Sequence, residues 1–178
     1  MYSPKTVYTR IAFQVIQDSI NDQNIENLKL DNIPDELIKV KRGCFVSIHL
    51  KNGELRGCIG TIEPVEENLF KEIVRNAIAS SSRDSRFSPI GIEELEDIEL
   101  SVDVLSEPEL IHSIDELDPE KFGLIISDGK YSRGVLLPGL EGIHSVEQQI
   151  NTVKKKAGLE NLKNSTLEFY RFTSKRYY

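Results

Sequence analysis

Gly43-Cys44-Phe45-Val46-Ser47-Ile48-His49-Leu50 and Leu55-Arg56-Gly57-Cys58-Ile59-Gly60-Thr61-Ile62 flank Lys51-Asn52-Gly53-Glu54, and their pairing decides how this chain folds. Both runs are rich in strand formers, and Asn-Gly favours a type I′ hairpin turn. With Asn52-Gly53 as a two-residue turn, Leu50 faces Leu55, His49 faces Arg56, Ile48 faces Gly57 and Ser47 faces Cys58. Side chains alternate along strands, so Cys44, Val46, Ile48, Leu50, Leu55 and Ile59 make a core face. Phe45, Ser47, His49, Lys51, Glu54, Arg56 and Cys58 make the other, polar face. The two cysteines then point to opposite sides and do not pair. A bulge at the glycine would reverse this result.

Outward from the hairpin, the pattern is of separate helices and further hairpins. Residues 3–20 read as an amphipathic helix capped by Ser3, with Pro4 in its first turn and Val7, Ile11 and Val15 on one face. Asn21 to Asn32 is polar and reads as irregular, and Ile33 to Leu37 opens a short helix. Glu66-Glu67 start a helix that buries Leu69, Phe70, Ile73, Val74, Ala77 and Ile78, fraying at Ser80-Ser81-Ser82. Ile98, Leu100, Val102 and Val104 alternate with polar residues as a half-buried strand. A second hairpin runs from Phe122 to Leu137 around Asp128-Gly129. Ser145 and Gln148 form a capping box for a helix stopped by Gly158, and Thr166 to Thr173 reads as a last strand. Arg56-Gly57 and Arg133-Gly134 both follow a hairpin turn, an echo that chance accounts for. The expected fold class is α+β: an antiparallel sheet with flanking helices, a larger subdomain (about 1–32 and 90–178) and a smaller one (about 33–89) carrying the Cys58 hairpin.

Bulk properties exclude several roles. The 178 residues carry a net charge of −7. Nucleic-acid binding through phosphates would need a basic face against that background, so it is disfavoured. No apolar run is long enough to span a bilayer, and the N-terminus lacks the basic and apolar segments of a secretory signal. Two cysteines suit a reducing cytoplasm and are too few for a closed zinc site.

The chemistry, if any, centres on Cys58. A thiol beside Arg56 and near His49 sits in positive surroundings that favour the thiolate. Gly57 and Gly60 lack side chains, so the amides there are open to an anion, with Ser47 across the ladder. Against this, buried cysteines outnumber reactive ones, and strand glycines mark bulges or close packing. Arg83, Asp84 and Arg86 form either an anion-binding loop or a self-contained salt-bridged turn. His144 is a weaker candidate for a base or ligand, and a metal site would require His49, Cys58 and His144 to converge. No motif names a cofactor.

The run Leu55-Arg56-Gly57-Cys58-Ile59-Gly60 resembles the signature of the AMMECR family. Gly43 to Ile48 is similar to that family's Gly-x-Phe-Val strand, and Arg83 to Pro89 to its Asp-Pro-Arg-Phe-x-Pro loop. Gly134-Val135-Leu136-Leu137-Pro138 and Lys156-Ala157-Gly158-Leu159 also match. The chain departs from the pattern with Ser85 in place of Pro, Gly139 in place of Gln, and no tryptophan. The resemblance implies a two-part α+β fold with the signature near a groove, and partners of the Memo-like and radical-SAM kinds. It implies no defined reaction. Two readings therefore stay open. One is a binding or adaptor module whose groove around Leu55 to Gly60 takes a small molecule or peptide; the other is an enzyme or enzyme component using Cys58 as nucleophile or substrate-holding thiol. The first is favoured, because nothing besides Cys58 is chemically committed.

Overall fold

The structure is a computed structural model describing residues 2–21 and 33–178. The expected irregular stretch after Asn21 lies outside the described residues. The class is α+β, with two four-stranded sheets among the described residues. The chain divides into two compact units, one of residues 1–105 with 175–178 and one of residues 106–174. The boundary expected near 33 and 89 is therefore corrected. The core face of the Cys58 hairpin shares one apolar cluster with the first helix and the strand after residue 97, which places the hairpin in the larger unit.

In the first unit, helices α1 (Val7–Ile20), α2 (Asp35–Lys39) and α3 (Leu69–Ser82) accompany strands β1 (Cys44–Leu50), β2 (Leu55–Thr61) and β3 (Ile98–Leu105). A closing strand, β8 (Ser174–Tyr177), completes the sheet order β2-β1-β3-β8. Ile11, Val15 and Ile16 of α1 and Ile73 and Ala77 of α3 meet Val46, Ile48, Ile98, Leu100 and Val102 in one core. The α1 cap is Thr6 rather than Ser3, because Thr6 and Thr9 bond reciprocally and start the helix at Val7. Helix α3 does not fray at its serines. Ser80 and Ser81 are buried and donate to the carbonyls of Ala77 and Ile78, and Ile90 N–H holds the Ser81 carbonyl.

The hairpin turn is not the expected type. Gly53 N–H donates to the Leu50 carbonyl, Leu50 N–H donates to the Glu54 carbonyl, and Gly53 has φ +89°. That is a three-residue loop with its glycine in the left-handed region, which shifts the ladder by one residue. His49 accordingly faces Leu55, but Ile48 faces Gly57 again and Ser47 faces Cys58. Arg56 is the extra residue that restores the count, so the two irregularities cancel before Cys58. Leu55 leaves the core row and is 37% exposed.

The second unit holds β4 (Glu109–Leu110), β5 (Gly123–Ser127), β6 (Arg133–Leu136), helix α4 (Val146–Ala157) and β7 (Glu168–Phe172), in sheet order β4-β7-β5-β6. Ile150 and Val153 of α4 pack on Leu124, Ile126, Leu136 and Phe169. The Ser145–Gln148 box and the Gly158 stop form as expected, with Leu159 N–H reaching the Lys154 carbonyl. The Arg-Gly echo has a physical basis after all. A Cβ at Gly57 would lie 2.3 Å from the Ser80 carbonyl of α3, and one at Gly134 would lie 2.5 Å from the Val153 carbonyl of α4. In each unit the glycine lets a helix backbone settle on a strand.

Candidate functional site

Register builds the site. Across β1 and β3, Phe45 faces Asp103, Ser47 faces Ser101 and His49 faces Glu99. With Ser47 opposite Cys58, one sheet face carries Cys58, Ser47, Ser101, His49, Glu99 and Asp103, away from the helices. This polar face is not a solvated one: Ser47, Ser101 and Asp103 are all buried. Arg176 of β8 donates from Nε to both carboxylate oxygens of Asp103, at 2.9 and 3.1 Å.

Ser47 Oγ donates to Cys58 Sγ at 3.2 Å, and the Cys58 N–H donates to Asp84 Oδ2 at 2.9 Å. Asp84 is itself buried and is clamped by Arg86, whose Nε and Nη2 donate to its two oxygens at 3.0 and 2.7 Å. Arg86 Nη2 also reaches the Cys58 carbonyl at 3.4 Å. Helix α3 positions this clamp, since its C-cap is Arg83 and Asp84 follows at once. Burial pushes the Cys58 thiol up; the Ser47 hydroxyl and Arg86 pull it down, while Asp103 and Asp84 push it up further. Cys44, on the core side, is fully buried and pushed up to about 12.

The expected activating groups are engaged elsewhere. Arg56, thrown out of the ladder by the bulge, donates to Glu94 from Nε and Nη2 at 2.7 and 2.9 Å and to the Ser88 carbonyl at 2.9 Å. It holds the Glu94 carboxyl below its usual range. The cation near the thiol is Arg86, not Arg56. The glycines do not open an anion site there either. Gly57 faces the α3 backbone, a Cβ at Gly60 would strike the Phe45 ring at 2.2 Å, and the Cys58 amide is taken by Asp84. Arg83 is exposed. His49 lies on the thiol's face, and its imidazole is lowered by burial first and then by Arg176, with Asp103 and Glu99 opposing.

His49 belongs to a cleft of about 520 Å³ in this unit, which Tyr2, Lys5, Glu99, Ser101, Arg176 and Tyr178 also line. His49, Glu99 and Ser101 of its lining belong to the polar sheet face, and the Tyr2 hydroxyl donates to the Leu100 carbonyl beside them at 3.2 Å. The cleft forms at the turn end of that face, not along Leu55 to Gly60.

A family profile named AMMECR1 matches residues 9–177. The chain belongs to the AMMECR1 family. A relative from Thermotoga maritima is 43% identical over 96% of both chains. One from Clostridium acetobutylicum is 46% identical over 95% of this chain, which spans 36% of that longer protein. The crystal structure of an uncharacterised protein from Pyrococcus horikoshii matches with a TM-score of 0.85 at 30% identity, covering 95% of this chain and 88% of that one. In this AMMECR1 protein, His144 belongs to the second unit, is exposed, and uses its backbone N–H to bond Gln148 at 2.8 Å ahead of α4. Behind the hairpin lies a polar group that periodicity had hidden. Glu72, wholly buried on α3, accepts from the Thr61 hydroxyl and from the amides of Val65 and Glu66. Asn76 donates to the Cys44 carbonyl and to Thr61. Both residues lie outside the apolar stripe that the sequence offers for this helix, and no local pattern marks them as buried. Among the described residues, no helix is long and apolar enough to cross a membrane.

Proposed function

We propose that this AMMECR1-family protein is a binding module rather than a cysteine catalyst, and that its ligand-binding surface is the cleft at the turn end of the polar face. The observation that carries this reading is the closed circuit around Cys58. Its amide is committed to Asp84, Asp84 to Arg86, and the neighbouring Arg56 to Glu94. A nucleophile needs a low thiol pKa or an adjacent base, and an oxyanion needs spare amides. Here burial sets the thiol high. The Cys58 run then serves as the wedge that fixes β2 on α3, and the Asp84–Arg86 pair serves as its clamp. Memo-like and radical-SAM proteins enter as partners through the family resemblance, and the cytoplasm as the compartment through cysteine usage.

Thiol alkylation tests the reading. Iodoacetamide should modify the folded protein in one slow phase that rises only above the free-thiol value of about 8.5. Cys44, buried, stays silent until unfolding. A fast phase below neutral pH that vanishes in Cys58→Ser would restore the catalytic reading and overturn this one.

A further inference from the structure

We infer that the cleft takes a small zwitterion of the amino-acid type, a proposal that rests on the cleft being the ligand-binding surface. Its floor presents groups that the fold leaves unspent. Among the described residues, no hydrogen bond to protein is made by the His49 imidazole, the Ser101 hydroxyl or the Glu99 carboxylate, all of which line the cleft. His49 and Glu99 face each other across β1 and β3, and Ser101 is diagonal to His49. On the β8 side, Arg176 lines the same cleft with its Nε fixed by buried Asp103 and its side chain also bonded to Tyr178, so the guanidinium is held in place and only the donors left over can meet a ligand. Lys5 adds a second cation at the mouth. Lys51 is paired with Asp97 at 3.0 Å, as Arg176 is with Asp103, which leaves Lys5, among the described residues, as the cation of the lining with no carboxylate of its own.

The cleft therefore carries both signs of charge. A simple anion would answer Arg176 and Lys5 but confront Glu99. A simple cation would answer Glu99 but confront Arg176 and Lys5. A molecule bearing one carboxylate and one ammonium group satisfies both, each through a charge-assisted hydrogen bond. Neutral His49 offers one donor and one acceptor between them, with Ser101 beside it. The apolar part of the ligand has Leu50 and the rings of Tyr2 and Tyr178 to pack against. The volume fits a molecule of amino-acid to dipeptide size.

Backbone-amide shift titration of the isotope-labelled full chain tests this, using L-leucine, N-acetyl-L-leucine and L-leucine methyl ester as probes. The expected result is saturable movement of the His49 and Ser101 amides with L-leucine, and about tenfold weaker binding or worse by both blocked forms. Glu99→Gln, at an exposed position, should weaken L-leucine to the level of the acetylated form and leave the acetylated form unchanged. If the acetylated form binds as well as L-leucine at those amides, the cleft remains a ligand site and the zwitterion assignment falls. No saturable movement with L-leucine, or an unaltered affinity in Glu99→Gln, overturns it as well.

Discussion

Gly57→Ala is expected to lower the melting temperature by about 10 °C, through a loss of roughly 3 kcal/mol. The added Cβ would stand 2.3 Å from the Ser80 carbonyl oxygen and 3.3 Å from its carbon. Both are backbone atoms, so no side-chain rotation relieves the contact. Either α3 lifts from the sheet or β2 bends, and each opens the core that Ile48, Ile73 and Ala77 fill. Close-packed interiors resist such displacement, and forcing extra volume into them typically costs 1–3 kcal/mol. The same reasoning gives Gly134→Ala a loss of the same sign in the second unit, where α4 offers the Val153 carbonyl at 2.5 Å. Glu54→Ala, exposed at the turn, is the matched control. Calorimetric melting checks all three. A Gly57→Ala protein melting within a degree or two of the parent would show that the wedge is not tight.

The glycine wedge also marks where sequence reasoning stops. Alternation along β1 and the Asn-Gly signal were enough to place Cys58 on the face of Ser47 and His49, and caps such as Ser145–Gln148 were readable because both partners lie within one turn. The register came out right at Cys58 only because two deviations cancelled: a third loop residue at Gly53 and the bulge at Arg56. Neither leaves a distinct local signature, since Asn-Gly serves both turn types and an arginine fits a ladder as well as a bulge. Long-range partners were invisible for a different reason. Arg176 reaches Asp103 across 73 residues of sequence, and β8 joins a sheet whose other strands end at Leu105. Without that partner, alternation marks Asp103 and Glu99 alike as the polar side of a half-buried strand, whereas Asp103 is 2% exposed. The candidate site was legible as a face and illegible as a charge network, because periodicity encodes direction and carries no information about which distant side chain arrives there.

Asp84→Asn is the second large effect, and it separates the structural role of the clamp from any role in chemistry. Asp84 accepts from the Cys58 amide, the Arg86 amide and the Arg86 guanidinium. Arg86 first, and then the two amides, hold its carboxyl well below the usual carboxylate range. A depressed folded pKa means that its contribution is complete above the unfolded carboxyl value of about 3.9 and drains away as pH falls below that. The parent should therefore lose stability steeply between about pH 4 and pH 2, and Asp84→Asn should lose less over that window while starting about 2–3 kcal/mol lower at neutral pH. The thiol reports on the same substitution. Asp84 pushes the Cys58 thiol up and Arg86 pulls it down, so removing the carboxylate charge takes away one of the two acids that oppose the cation, Asp103 being the other. Alkylation at neutral pH should then quicken about threefold or more, with the whole pH profile displaced to lower values. Mere loosening of the loop would raise the rate without displacing the profile. An unchanged melting curve together with an unchanged thiol profile would mean that the Asp84–Arg86 clamp does not govern Cys58, and the closed circuit on which the binding-module reading depends would be gone.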